Sequence, residues 1–158
     1  MTYPSETIQT IEGLAPDADA LAGTVTSRAV NLGLAESAIF KVHRGVGTSG
    51  TQTLTLQASA ASDKASPTAI PFRYRRIDTY TGGDDPGAAA AATSAGFTTA
   101  AGGSDIYLIE VKASELPEAK PWVHLKSVEV ADAAVDAGIL IDLVGVRYQQ
   151  NSMPSVIS

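Results

Sequence analysis

The residue types in this chain that can do chemistry are few and widely spaced. Histidine, a common general base and metal ligand, occurs twice, at His43 and His124. A catalytic triad or zinc site needs a histidine beside a carboxylate and a nucleophile or further ligands. His124 lies in the strand-like stretch WVHLKSVE, which favours a structural histidine over a catalytic one. The motifs HExxH, GxSxG and the phosphate-binding P-loop are absent from the sequence.

Paired carboxylates offer a second kind of site. Asp84 and Asp85 lie in the Gly-rich stretch TGGDDPG, and carboxylates in such a loop are suitable ligands for calcium. A turn followed by a helix N-terminus explains the same pair, because acidic residues are favoured there. The same two interpretations apply to Asp132 and Asp136. We favour the turn in both cases and expect no metal and no cofactor.

Three arginines lie close together in the stretch IPFRYRRID. Arg73 and Arg75 share one face of the expected strand, and Arg76 follows directly. If a neighbouring strand presents Lys41 and His43, the two strands form a basic patch that suits carboxylates of a partner or phosphate. The alternative is a solvated strand face that the charges protect from edge-to-edge pairing.

Composition narrows the class of protein. The chain has 158 residues, no cysteine and a net charge of −6, which argues against disulfides, thiolate metal sites and general nucleic-acid binding. Residues 38–76 carry six basic side chains and one acidic side chain, and the remainder carries five basic and sixteen acidic ones. No apolar run approaches the ~18 residues of a membrane span, and the first residues lack the pattern of a signal peptide. We therefore expect no direct contact with nucleic acid or membrane.

The elements that position these residues are mostly strands. Alternation of apolar and polar residues predicts strands at about 24–32, 38–44, 51–58, 70–77, 105–112, 121–130 and 138–148. The stretch 105–112 is apolar on both faces, which predicts a central strand covered on both sides. The stretch 138–146 is apolar on both faces apart from Asp142 and is predicted to be a buried strand. Seven or eight strands at this spacing predict an all-β antiparallel sandwich or jelly roll.

Three segments lie outside this pattern. Residues 1–23 are predicted to form an extended arm, in which Tyr3, Ile8, Ile11 and Leu14 are apolar anchors for a partner. Residues 24–148 form the sandwich domain, and 149–158 form a polar tail. Between strands, residues 78–103 form a long Ala/Gly-rich loop with a short helix at 85–93.

The chain has a single tryptophan, Trp122. We expect it to pack in the core or at an interface, because one aromatic residue is too few for a sugar-binding platform.

The first half of the chain resembles small structural proteins of tailed bacteriophages and prophages that are encoded near the major capsid protein. The pieces that carry the resemblance are Tyr3-Pro4-Ser5, Glu12-Gly13-Leu14-Ala15-Pro16, the strand 40–43 and the strand 51–58 with its Gly- and Thr-rich hairpin. The resemblance does not extend to the arginine strand or to the C-terminal third.

This resemblance implies a capsid decoration (cement) protein without enzymatic activity. Such a protein is made in the host cytoplasm, binds the major capsid protein on the outer surface of the virion and assembles as a homotrimer between capsomers. Tyr3, Ile8, Ile11, Leu14, Arg73 and Arg75 are then the candidate partner-binding residues. Two alternatives remain, namely a tail-tube, neck or other virion part, and a carbohydrate-binding β-sandwich module.

Overall fold

The alternating stretches form twelve strands in two antiparallel sheets, in a computed structural model that describes residues 3–47, 49–131, 134–146 and 155–157. The strands are β1 (Ile8–Asp17), β2 (Thr24–Thr26), β3 (Val30–Asn31), β4 (Ser37–Gly47), β5 (Thr51–Ser59), β6 (Thr68–Ile70), β7 (Phe72–Asp78), β8 (Ala90–Ala92), β9 (Phe97–Thr98), β10 (Gly103–Lys112), β11 (Trp122–Ala131) and β12 (Ala137–Val144). Short 3₁₀ turns lie at Pro4–Glu6, Leu32–Leu34 and Ala113–Glu115. The predicted all-β antiparallel sandwich is confirmed.

Each of the two sheets has six strands in the described part of the chain, but the two sheets differ in how those strands are connected. Sheet A has the order β1-β12-β4-β10-β7-β8. Sheet B has the order β2-β11-β5-β6, and β3 and β9 pair with β11 and β5 at its margins. The inner side chains of both sheets form one core, with Phe40, Leu56, Ile109, Leu125 and Ile141 among its fully buried members.

Pro71 separates the two sheets at the strand that carries the arginines. The predicted single strand 70–77 is two strands, because β6 ends at Ile70 in sheet B and β7 begins at Phe72 in sheet A. A proline has no backbone N–H to donate, so a strand ends or begins there at little cost. The predicted strand 24–32 is also divided, into β2 and β3.

The prediction of an extended arm over residues 1–23 is wrong for its central part. Residues Ile8–Asp17 form β1, which pairs antiparallel with β12 from Ile8 opposite Val144 to Asp17 opposite Ala137. Irregularities after Glu12 interrupted the alternation that identifies a strand in the sequence. The N-terminal segment is therefore an edge strand of the sandwich.

Two further predictions are corrected. The alanine run forms the short strand β8 beside β7, and residues 85–93 contain no α-helix. Backbone pairing with an exposed strand prevailed over the helix propensity of alanine. The described part of the predicted polar tail is packed, since Val156 is buried and its carbonyl accepts a hydrogen bond from the Asn31 amide at 3.0 Å. Residues 147–154 and 158 lie outside the described part of the chain.

Candidate partner-binding surface

The outward-facing side of sheet A, called the outer face below, carries both predicted arginines of β7. Arg73 and Arg75 alternate with the inward-facing Phe72 and Tyr74. Arg75 Nη1 donates to the Gly87 carbonyl at 3.2 Å. Arg76 lies on the opposite side of the strand, where its Nε donates to Asp105. The alternation in the sequence thus predicted which two arginines share a face.

The predicted basic patch of β7 with Lys41 and His43 does not form on adjacent strands. Those two residues belong to β4, and β10 lies between β4 and β7. Leu108 of β10 is opposite Arg75 on one side and opposite Lys41 on the other. The basic side chains are therefore separated by an apolar strand.

Apolar side chains occupy the middle of the outer face. Ile39 of β4 and Ile106 and Leu108 of β10 are half-buried, and Leu140 of β12 is 48% exposed. The sequence predicted β10 to be a central strand covered on both sides and β12 to be a buried strand. Their positions are inside the sheet as predicted, but among the described residues these outward side chains remain partly open to solvent. An apolar surface of this kind is typical of a face that another protein covers.

Charge is distributed unequally across this face. Cross-strand pairing aligns Glu12, Leu140, Lys41, Leu108 and Arg75 in one row that runs from β1 to β7. The row therefore begins with an acidic residue at one margin of the sheet and ends with a basic residue near the other. Apolar side chains and one lysine lie between them.

The central lysine is neutralised within the face. Lys41 forms an ion pair with Asp142 of β12, and Thr10 of β1 donates a hydrogen bond to the other Asp142 carboxylate oxygen at 2.7 Å. Asp142 is only 6% exposed although it lies on the outer face. The pairing joins three neighbouring strands and neutralises the lysine in the middle of the row.

A groove of about 480 Å³ lies at the β1 end of the outer face. Its walls are formed largely by Leu14 and Pro16 of β1, Leu140 of β12 and Ile106 of β10, with His43 also in the lining. Gly138 lies in its lining, and a Cβ atom there would approach Pro16 Cα to 3.2 Å. The groove continues the apolar centre of the face towards β1.

The four predicted apolar anchors have different environments. Tyr3 is 70% exposed and precedes β1, and Ile8 is half-buried opposite Val144. Ile11 faces inward and belongs to the core, so it is not available to a partner. Leu14 is half-buried and lines the groove. Tyr3, Ile8 and Leu14 therefore remain candidates, together with Arg73 and Arg75.

A buried ionic cluster close to β7 connects the two sheets of the sandwich. Arg44 is 1% exposed, and its Nε donates to Asp105 Oδ1 at 2.8 Å. Its two terminal nitrogens donate to Gln52 at 2.9 Å, Thr99 at 2.6 Å, the Ala100 carbonyl at 2.7 Å and Asp105 Oδ2 at 3.3 Å. All five donors of the guanidinium are thereby used, and both sheets contribute partners.

The same cluster reaches the surface through Arg76. Burial opposes the charged form of Arg76, but its hydrogen bond to Asp105 and the nearby negative charges prevail and raise its pKa. Burial also raises the pKa of Tyr107, whose hydroxyl oxygen accepts from the Ala100 amide at 2.8 Å. We did not predict this cluster, although Arg44 and Asp105 both fall on the inward parity of their strands.

His124 has a structural environment, and Trp122 offers no open platform. His124 is 1% exposed, and its Nε2 lies 3.1 Å from Gln57 Oε1. Burial, with a smaller effect of the nearby Lys64, lowers the pKa of His124 to about 4. Trp122 is half-buried opposite Ser59. Neither residue has the surroundings of a catalytic or sugar-binding site.

The carboxylate pairs were the candidates for a metal site. Asp84 and Asp85 are exposed, and within the described residues no group of three His, Asp or Glu side chains is placed to hold a metal ion. Asp132 lies outside those residues. In the same part of the chain, no helix has the length and hydrophobicity of a membrane span.

Comparison with known proteins includes a weak structural likeness. No family model matches the chain, and no curated protein matches it. A chain in a solved structure of infectious bursal disease virus, strain Gx, is similar at 14% identity and a TM-score of 0.23. The match covers 87% of this chain and 40% of that chain. A likeness at this TM-score carries no argument about function.

Proposed function

We propose that this protein is a non-enzymatic virion structural protein, a decoration protein that binds the outer surface of a phage capsid. The observation that supports the proposal is the outer face of sheet A, where Ile39, Leu108 and Leu140 form an apolar surface that is partly open to solvent. Its partner is the major capsid protein, and the chain attaches as a homotrimer between capsomers. The resemblance of the N-terminal half to phage structural proteins supports the same function.

An assembly role explains why the face is apolar without being covered. Each large apolar side chain that a partner covers contributes roughly 1.5–3 kcal/mol of transfer free energy if it becomes fully buried. Most of the surface of Ile39, Ile106 and Leu108 is already buried and Leu140 is 48% exposed, so each contributes about a third to a half of that amount. Four such residues, Ile39, Ile106, Leu108 and Leu140, then supply several kcal/mol before the cost of association.

The framework behind this face suits a protein that resists mechanical load. The Arg44–Asp105 pair links β4 to β10 in sheet A, and Arg44 also binds Gln52 of β5 in sheet B. The two sheets are therefore joined by directed hydrogen bonds as well as by the apolar core. A decoration protein needs such a rigid body, because it transmits force between capsomers that are under internal pressure.

Binding to purified capsids tests the proposal directly. The wild-type protein is mixed with capsids assembled from the major capsid protein of the same phage and then sedimented, with isolated tails as a parallel sample. We expect saturable co-sedimentation with capsids that weakens as salt is added, because charged residues contribute at the margins of the face. Binding to tails and not to capsids, with free rings of six or twelve chains, would instead assign the protein to the tail or neck.

A charge-reversal variant connects this binding to the candidate residues. We expect Arg73→Glu with Arg75→Glu to lower capsid affinity while the far-ultraviolet circular dichroism spectrum and the melting temperature stay unchanged. The matched control is Lys126→Glu, since Lys126 is half-buried on the other sheet. Equal capsid binding by the double variant and the wild type would indicate instead that the two arginines form a solvated strand face without a partner.

A further inference from the structure

We propose that the loop between β5 and β6, residues 60–67, is an acid-sensitive strap that covers His124 and opens when this histidine gains a proton. The loop is called the strap below. It lies on the outward side of sheet B, away from the surface assigned to the capsid. The inference therefore goes beyond the proposed function and does not depend on it.

His124 is buried although it points away from the core. Its neighbours in β11, Val123 and Leu125, belong to the core, and side chains along a strand alternate between the two sides of a sheet. His124 therefore lies on the outward side of sheet B, yet it is only 1% exposed. A side chain in this position needs a cover from outside the sheet.

The strap supplies this cover because its lysine crosses β11. The strap begins at the end of β5, and β11 lies between β5 and β2. Lys64 Nζ reaches the β2 side, where it donates to Thr26 Oγ1 and to the Ser27 carbonyl, both at 3.1 Å. The Ser27 amide in turn donates to the Leu125 carbonyl at 2.8 Å. Lys64 therefore crosses β11 at the level of His124.

Few contacts hold the strap against the sheet. Six of its eight residues are exposed and none is buried. Besides the bonds of Lys64, Lys120 Nζ donates to the Ser66 carbonyl at 3.1 Å. Lys64 and Ser66 have φ values of 62° and 45°, a left-handed conformation that is strained for residues with a Cβ atom. We therefore expect the strap to open at a much lower cost than unfolding of the domain.

A proton on His124 opposes the closed strap. Its Nε2 lies 3.1 Å from Gln57 Oε1, and its Nδ1 is buried without a hydrogen-bond partner among the described residues. A protonated imidazole has two N–H donors, so one of them would be buried and unsatisfied. Opening of the strap gives Nδ1 access to water and moves the positive charge of Lys64 away.

Lys64 is the charged group that the strap places beside His124. Lys126 occupies the next outward position of β11, Arg28 is exposed on the β2 side, and Asp63 of the strap is exposed and accepts from a backbone amide of the strap at 2.9 Å. The bonded partners of Lys64 and of His124 are neutral. The closed strap therefore adds a positive charge near the imidazole without a bonded carboxylate to compensate it.

Acid favours the open strap because the two states differ in proton affinity. In the closed state, burial and the smaller effect of Lys64 lower the pKa of His124 from 6.5 to about 4, and contact with water restores the ordinary value. The open state then binds the proton more tightly, so the ratio of open to closed strap rises as the pH falls through 6.5 towards 4. Between pH 7.5 and pH 5 this ratio should increase about 30-fold.

Amide hydrogen exchange measures this opening. In the closed strap the Lys64 amide donates to the Ala61 carbonyl at 3.3 Å, and the Ala65 amide donates to Asp63 Oδ1 at 2.9 Å. After correction for the intrinsic exchange rate at each pH, the protection of these two amides in the wild type should fall about 30-fold from pH 7.5 to pH 5. Amides of β10 should remain far more protected, which identifies the opening as local.

Two histidine variants identify the group that triggers the opening. His124→Gln removes the titrating group, so the protection of the strap amides should no longer depend on pH. The matched control is His43→Gln, because His43 is exposed on the other sheet, and it should keep the dependence of the wild type. Melting temperatures verify that both variants are folded.

The coupling between strap and histidine must also act in reverse. Lys64→Gly removes the covering side chain and its charge, and glycine suits the left-handed backbone at this position. Titration by nuclear magnetic resonance should give a pKa of about 4 for His124 in the wild type and a pKa raised towards 6.5 in this variant. The control Lys126→Thr removes a positive charge from the same side of β11 and should leave the pKa of His124 almost unchanged.

Either of two results would overturn the proposal. An unchanged pKa of His124 in Lys64→Gly would show that the strap does not cover the imidazole, and this titration decides the proposal even if His124→Gln is unstable. Equal pH dependence of strap exchange in His124→Gln and the wild type would assign the trigger to another group. Neither measurement uses capsids, so both outcomes are independent of the proposed function.

Discussion

Replacement of Asp105 by asparagine tests the structural account most severely. Asp105 is fully buried and accepts hydrogen bonds from Arg44 Nε at 2.8 Å, Arg44 Nη2 at 3.3 Å and Arg76 Nε at 3.0 Å. Asparagine keeps the shape of the side chain but removes its negative charge. Arg44 then remains buried as a cation without a counter-ion.

The expected loss is large because Arg44 cannot reach water. Removing one partner of a buried ion pair typically costs about 3–5 kcal/mol, whereas a domain is stable by about 5–15 kcal/mol. At a urea dependence of about 2 kcal/mol per molar, the unfolding midpoint should fall by about 2 M. This decrease of the midpoint is measured by urea titration with circular dichroism as the signal.

The matched control is Asp78→Asn. Asp78 Oδ2 lies 3.6 Å from Arg76 Nη2 at the surface, where both side chains are partly exposed. An exposed pair contributes about 0–1 kcal/mol, so this variant should remain close to the wild type. If Asp105→Asn also stayed within about 1 kcal/mol of the wild type, the buried cluster would not have the role we assign to it.

Three further predictions concern stability. Deleting residues 1–17 should abolish or strongly weaken cooperative thermal unfolding, because it removes β1 from β12; unchanged melting would instead support the free arm. On folding, the pKa of His124 falls from 6.5 to about 4, so between these pH values the folded state binds fewer protons than the unfolded state. The free energy of unfolding should therefore be highest above pH 6.5 and should decrease by about 3 kcal/mol as the pH falls towards 4. Urea midpoints against pH should flatten in His124→Gln but not in the exposed control His43→Gln. Gly96→Ala should lower the urea midpoint of the protein far more than Gly82→Ala. Both glycines have a positive φ, but a Cβ at Gly96 would lie 2.0 Å from the Leu54 carbonyl oxygen, whereas a Cβ at Gly82 would meet no atom within 4 Å.

Much of the sandwich was predictable because strand alternation is a local property. The runs predicted as strands at 38–44, 51–58 and 105–112 correspond to β4, β5 and β10. Strand order across a sheet depends on contacts between distant residues. For that reason the sequence left open whether the strand of Lys41 adjoins the arginine strand, and in the structure β10 lies between them.

The candidate surface was predictable only in part. Arg73 and Arg75 could be assigned to one face from their spacing, and Leu14 was identified as an apolar anchor near the N-terminus. The role of Ile11 could not be predicted, because the irregular pairing after Glu12 conceals a strand whose partner lies near the other end of the chain. The Arg44–Asp105 pair left a usable signal, namely charged residues at inward positions of two strands whose other inward residues are apolar.

The number of copies bound per capsid tests the central claim most directly. Purified capsids are titrated with the wild-type protein, free protein is removed, and the bound amount is measured against the major capsid protein. A decoration protein that occupies defined positions between capsomers should reach a plateau at a fixed, simple ratio to the capsid subunits, and bound capsids should withstand heating better than bare ones. Absence of binding, or binding that rises without a plateau and leaves capsid stability unchanged, would contradict the account.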